Sequence, residues 1–294
     1  MSVKKEEVDE VMSKFFSIMN YISSYEKQED KLQFIDRNFE ICERASKVIK
    51  YLIDKNNFFM TYQPQVGSAG NWDSAEALFR IEYDGKRINP DAVFALAEKF
   101  GYEKDLTLKV LNRVCQDTYT LKQQTNSDFY VTYNVNPKLI NKTFCISLFE
   151  NLYNNNLSPS SIGIELLEIS SFDKIKLSDI KTLKDWGFKI LIDDFGSGYA
   201  DEEVLRKIPF DIIKFSEKVI KGIDKPENYA NRERIEDVLK FCRRYSIKTI
   251  AEHVETEQEL KVVKDMGIDK VQGWFYSRDL PLNTFLENYQ SYHA

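Results

Sequence analysis

Apolar positions in the N-terminal segment recur at helical spacing, as Val8, Met12, Phe15, Phe16 and Met19 and then Phe34, Ile41, Val48 and Leu52. That period places one stripe of each segment on a core, and it predicts two or three helices between about residues 4 and 53. The polar stretch 28–31 is the break between them. From Phe58 onward the rhythm changes to short apolar runs followed by amphipathic ones. Strands are predicted over 58–63, 75–83, 129–134, 162–165, 189–193, 211–214, 249–252 and 270–272, with helices over stretches such as 91–100, 105–123, 178–186, 233–244 and 257–266. Strands alternating with helices predict a mostly parallel sheet, and eight of them predict closure into a (β/α)8 barrel. The first connection breaks the pattern. Gly67-Ser68-Ala69-Gly70-Asn71 is too short for a crossover helix, so the first strand should run antiparallel to its neighbour. The expected fold is therefore α/β, a TIM-like barrel with an antiparallel first strand preceded by N-terminal helices. As domains, residues 1–44 read as a helical leader and 45–294 as the barrel.

The length of 294 residues suits that division, since such a barrel takes about 250 residues. Composition narrows the function classes. With 47 acidic and 41 basic residues the formal charge is -6, which lacks the basic footprint of a protein that coats a DNA or RNA duplex. No apolar run reaches the 18 or so residues of a membrane helix, and the charged start Met1-Ser2-Val3-Lys4-Lys5-Glu6-Glu7 does not read as a signal peptide. A cytoplasmic location is expected. Cys42, Cys115, Cys145 and Cys242 lie far apart with no C-x-x-C pair, so they read as ordinary buried thiols rather than a zinc site or disulfide framework.

The chemistry gathers at strand ends. Glu76, Asn134, Glu165, Asp193, Asp194, Lys214, Glu252, Glu255 and Gln272 all fall at or just beyond the ends of predicted strands, which in a barrel converge on the C-terminal mouth. Six of them are carboxylates, and so many anions cannot stay ionised together without cations. An oxygen-rich set with an amide and no thiolate suits Mg2+, Mn2+ or Ca2+ better than zinc. The adjacent Asp193-Asp194 pair could bridge two such ions, the arrangement used for phosphoester hydrolysis. The two histidines, His253 and His293, leave little material for a histidine-based mechanism.

The same residues carry a family resemblance. Tyr62-Gln63-Pro64-Gln65-Val66, Glu76-Ala77-Leu78-Phe79-Arg80, Asn134-Val135-Asn136, Glu165-Leu166-Leu167-Glu168, Asp193-Asp194-Phe195-Gly196-Ser197-Gly198-Tyr199, Lys214, Glu252-His253-Val254-Glu255, and Gln272-Gly273-Trp274 leading to Ser277-Arg278-Asp279-Leu280-Pro281 occur in order. From roughly Ala45 onward the chain resembles the EAL domain family, bacterial phosphodiesterases that open cyclic di-GMP to linear pGpG. The resemblance implies that Glu76, Asn134, Glu165 and Asp193 hold one metal, and that Asp193, Asp194 and Glu252 hold or position a second together with the attacking water. It implies Mg2+ or Mn2+, two per site, with Ca2+ inhibitory. Lys214 would orient the water, and Glu255 and Gln272 would complete the polar floor. Gln63, Leu78, Arg80, Gln272 and Pro281 would contact the nucleotide. Glu168 would anchor the loop Phe195 to Tyr199, whose order couples metal binding to dimerisation in the family. The implied partners are cyclic di-GMP, a second copy through the barrel, and a protein partner through the N-terminal helices.

Three departures stand out. Lys214-Phe215-Ser216 replaces the family's usual Lys-Ile-Asp, which removes an anionic acceptor near the lysine and gives an alternative reading as a cyclic di-GMP receptor with weak or lost hydrolysis. Ala200-Asp201 follows Tyr199 where serines are usual, and Ile81 stands where a tryptophan often follows the arginine. The cyclase motif G-G-D-E-F is absent from the sequence. The run Gln272-Gly273-Trp274-Phe275-Tyr276 suits either stacking on guanine or core packing.

Overall fold

Short runs of Ile, Val and aromatic residues form the strands, because β-branched and ring side chains pack well on a pleated surface. The computed structural model describes residues 5–25, 27–166, 177–196 and 209–293. Eight strands form a ring in the order β1 (Phe59–Gly67), β9 (Lys270–Val271), β8 (Lys248–Ala251), β7 (Ile212–Phe215), β6 (Lys189–Phe195), β5 (Ile162–Leu166), β4 (Tyr130–Val135) and β2 (Trp72–Tyr83), closed by pairing of β1 with β2. Seven of them run parallel, and β1 is reversed, with Val66 opposite Val271 in an antiparallel pair with β9. The barrel and its antiparallel first strand are as the sequence implies.

Two short strands escape the hydrophobic pattern. β3 (Lys86–Ile88) forms a hairpin with β2 across Asp84-Gly85, whose φ values of 49° and 71° fit the left-handed turn that an Asp-Gly pair favours. β10 (Leu280–Pro281) pairs antiparallel with Thr61 and Tyr62 of β1. The described helices, in chain order, are α1 (Lys5–Ser24), α2 (Gln28–Arg37), α3 (Phe39–Asp54), α4 (Pro90–Lys99), α5 (Glu103–Gln124), α6 (Lys142–Asn154), α7 (Leu177–Asp185), α8 (Glu217–Ile220), α9 (Tyr229–Tyr245), α10 (Glu257–Asp265) and α11 (Leu282–His293).

The chain divides into two compact units, Met1–Met60 with Phe79–Val110, and Thr61–Leu78 with Leu111–Ala294. In the first, α1, α2 and α3 all pack on α4, burying Met12, Phe15, Ile22, Ile35 and Ile49. The Tyr83 hydroxyl donates to Asp9 Oδ1 at 2.7 Å, and Gln28 Nε2 donates to Glu98 Oε2 at 2.7 Å. The sequence boundary at 44/45 falls inside α3, which continues to Asp54.

The second unit carries the barrel interior. Tyr130, Leu191, Ile212 and Ile250 make one buried apolar layer, each an even number of residues before a polar strand-end residue. Side chains two apart on a strand share a face, so this layer underlies Asn134, Asp193, Lys214 and Glu252. The four cysteines are buried free thiols, pushed by burial to pKa values of about 11 for Cys42 and Cys145 and about 12 for Cys115 and Cys242. That makes them inert as nucleophiles.

Candidate active site

The strand-end residues meet around one ammonium. Lys214 is fully buried, and its Nζ lies 2.7 Å from Glu165 Oε2, 2.8 Å from Glu252 Oε1, 2.9 Å from Asp193 Oδ1 and 3.1 Å from Glu76 Oε2. An ammonium has three N–H bonds, and four carboxylates approach it. Asp193 Oδ1 is accordingly left at ion-pair distance without an aligned hydrogen bond. Ser216 plays no part in this arrangement. Its hydroxyl is buried without a hydrogen-bond partner, so Lys214 is held by carboxylates from four other strand ends rather than by its own loop.

Donors around the cluster select which carboxylate stays ionised. Burial alone would raise Glu76, but Lys214, Gln272 Nε2 at 2.7 Å and Asn134 Nδ2 at 2.8 Å hold it below the ordinary carboxylate value. Glu165 is pushed well above that value by burial and by the Glu76 charge. Burial also raises Asp193, and lifts Glu252 to about 8. Lys214 stays charged: burial would lower it, but Asp193, Glu165, Glu252 and Glu76 drive it well above its ordinary value. One cation therefore cannot neutralise the set.

The Asp193-Asp194 pair depends on a backbone irregularity. The register between β6 and β7 shifts between Ile192 and Phe195, and Asp194 has a φ of 54°. A bulge of this kind breaks the strict alternation that would aim neighbouring side chains at opposite faces. His253 has a φ of 53°, and it stands exposed beside the buried Glu252.

The remaining predicted residues divide. Gln272 is buried, and its Nε2 also donates to Gln63 Oε1 at 3.1 Å, while Gln63 Nε2 donates to the Ser277 carbonyl at 3.1 Å. The Leu78 carbonyl accepts from Thr61 Oγ1, and Pro281 is exposed in β10 opposite Thr61. Arg80 belongs to the other compact unit, where its Nη1 donates to the Phe79 carbonyl at 2.9 Å. Glu255 is exposed beyond the strand end; its backbone N–H is held by Glu259, and it has no contact with Lys214 like those of the other four carboxylates. Trp274 and Phe275 are exposed, which excludes the core-packing alternative; Arg278 lies 4.2 Å over the Trp274 ring. Glu168, Ser197 to Tyr199, Ala200 and Asp201 lie outside the described residues.

An inner polar layer was not visible as site residues in the sequence. Gln65, Ser74 and Thr132 are fully buried and hydrogen-bonded to one another below Gln272. The signal was the two-residue spacing: each precedes or follows Gln63, Glu76 or Asn134 by two positions, hence shares its inward face.

The donor set suits a hard divalent cation. Asn134 Oδ1 and Glu165 Oε1 are buried oxygens without hydrogen-bond partners, beside carboxylates in excess of the one ammonium. Among the described residues no three acidic, histidine or thiol side chains form a ready-made cage, because the carboxylates are drawn onto Lys214. Supplying divalent charge would relieve both the unpartnered oxygens and the repulsion.

Residues 46–279 match the family model described as EAL domain. A probable cyclic di-GMP phosphodiesterase PdeB of Escherichia coli K12 is 27% identical over 238 residues, covering 80% of this chain and 45% of the relative. The chain spans less than half the length of the first curated relatives it matches. Among solved structures, a PaMucR phosphodiesterase in complex with c-di-GMP superposes with a TM-score of 0.73 at 23% identity, covering 80% of this chain and 97% of that one. A calcium and cyclic di-GMP complex of Klebsiella pneumoniae BlrP1 superposes with a TM-score of 0.68 at 24% identity, covering 77% and 56%. At these identities the structures show the shared fold.

Proposed function

The chain belongs to the EAL domain family, and from that premise we propose that it hydrolyses one phosphodiester bond of cyclic di-GMP, adding water across it to give linear pGpG. The observation that carries this reading is the convergence of Glu76, Glu165, Asp193 and Glu252 on Lys214, with Asn134 and Glu165 each keeping a buried oxygen unpartnered. Glu76, Asn134, Glu165 and Asp193 would hold one divalent cation, and Asp193, Asp194 and Glu252 would hold a second. Bound Mg2+ or Mn2+ supplies Lewis-acid activation of water and of the phosphoryl oxygens. Lys214 places a positive charge where negative charge develops in the transition state. Glu252, beside Lys214 at 2.8 Å, would help position the attacking water once the second cation is bound. Gln63 and Gln272 would line the nucleotide side of the site, their amides held by one another, by Glu76 and by the Ser277 carbonyl. Ca2+ fits the same oxygens with looser geometry and should bind without supporting turnover.

The replacement at Ser216 is the feature that favoured a receptor without hydrolysis. The four-carboxylate hold on Lys214 supports retention of the enzyme reading, since the lysine is fixed without an acceptor at position 216. A homodimer through the barrel and a protein partner for the N-terminal helices belong to the same proposal. The test is incubation of purified protein with cyclic di-GMP and Mn2+ or Mg2+, followed by chromatography. Formation of pGpG is expected; tight, metal-independent binding with intact nucleotide recovered would establish the receptor instead.

A further inference from the structure

Beneath the carboxylates, a chain of hydrogen bonds crosses the barrel interior with a single polarity. Lys270 Nζ, paired with Asp73 at 2.6 Å, donates to Ser74 Oγ at 2.8 Å. Ser74 Oγ donates to Gln65 Oε1 at 2.9 Å, Gln65 Nε2 donates to Gln272 Oε1 at 3.2 Å, and Gln272 Nε2 donates to Glu76 Oε2 at 2.7 Å. The chain starts at an ammonium, which can only donate, and ends at Glu76 Oε2, which accepts from both Gln272 Nε2 and Lys214 Nζ. Both amides therefore have one orientation in which every member is satisfied. Gln65 sits at the centre, fully buried, with its second N–H on Thr132 Oγ1 at 3.2 Å.

We propose that Gln65 is a positioning residue that locks the Gln272 amide with its N–H groups toward Glu76 and Gln63. Without the Gln65 donor, the Gln272 carbonyl oxygen has no partner in the interior, and the amide is held from the Glu76 and Gln63 side alone. The donor to the Glu76 carboxylate is then less firmly placed, and so is the donor to Gln63 Oε1, while Gln63 keeps its own bond to the Ser277 carbonyl. Partners of this kind behind a ligating carboxylate change metal affinity by about 10- to 100-fold. The inference rests on the proposed role of Glu76, but its geometric part does not.

Two readings test it. In the metal-free parent, the Gln272 side-chain amide protons, assigned by their loss in Gln272→Glu, should exchange slowly with solvent by NMR. They should exchange rapidly in Gln65→Leu and stay slow in Thr132→Val, which removes the other Gln65 acceptor. Rapid exchange in the parent overturns the proposal even where Gln65→Leu fails to fold. With Mn2+, Gln65→Leu should raise the metal concentration at half-maximal thermal stabilisation at least about tenfold, and should add nothing in a Gln272→Ala background. An unchanged midpoint, or an equal added loss in that background, also overturns it. If the parent neither binds Mn2+ nor opens cyclic di-GMP, the proposed function falls, and the exchange measurement still decides whether Gln65 positions Gln272.

Discussion

Single carboxylates differ in charge state because their donors differ. Glu76 has three donating partners, whereas burial, opposed by Lys214 alone, pushes Glu252 up to about 8. A carboxyl with a higher pKa folded than unfolded holds a proton in the native state that the unfolded chain has released, so its contribution declines as pH rises between the two values. For Glu252 the interval runs from about 4.5 to about 8, and Asp193 and Glu165 act in the same direction. Glu76, whose pKa is lowered, acts only below that interval, and Lys214 only above its upper end. After chelation, the thermal midpoint should fall between pH 5 and 8; a flat or rising profile would refute this charge assignment. Asp194 gives a second residue-level prediction. Asparagine tolerates its positive φ, so Asp194→Asn removes charge while keeping the backbone. Turnover should fall by more than about tenfold, roughly 1.4 kcal/mol, with nucleotide affinity within about threefold. Turnover within tenfold of the parent would remove Asp194 from the metal set.

Strands fix the site by their inward faces, and that face admits little change. A Cβ on Gly163 would lie 2.8 Å from both Leu191 Cδ1 and Thr132 Cγ2, two residues before Glu165 on the same face. Gly163→Ala should destabilise by about 1 to 3 kcal/mol and displace Glu165, whereas Gly67→Ala, where the nearest atom is 3.7 Å away, should cost much less. Denaturant unfolding of both variants checks the contrast; equal costs would mean that β5 has room to move. Much of this element-level design was legible. Alternation and strand-end polarity located Glu76, Asn134, Glu165, Asp193, Lys214, Glu252 and Gln272 because period-2 patterning and barrel topology both act locally. Gln65, Ser74 and Thr132 were not legible, since a buried polar side chain looks like a surface one until its partners are known. Glu255 reads as a site residue because it falls just beyond a predicted strand end; β8 ends at Ala251, and Glu255 is exposed. The hairpin at Asp84-Gly85 had a turn signal, yet β3 is three residues long, too short for periodicity to register.

At the scale of the whole molecule, the chain joins a helical unit to a barrel unit and carries a formal charge of -6. The six strand-end carboxylates account for that excess, since without them acidic and basic residues are equal in number. Attraction of the proposed anionic nucleotide would then fall to Lys214 and to cations held at the site. Raising salt from about 50 to 200 mM should change kcat/KM by less than about threefold, unlike phosphate-coating proteins, which lose about a thousandfold or more in affinity over that range. A steep salt dependence would point to a cationic surface outside the site. Among the described residues no helix is long and apolar enough to cross a membrane. The proposed metal-dependent ring opening by the cluster around Lys214 is tested by a single-turnover reaction with protein in excess over cyclic di-GMP. Linear pGpG is expected as the first product with Mn2+, and intact nucleotide after chelation; nucleotide that is bound but recovered intact in both conditions would show that the cluster does not open the ring.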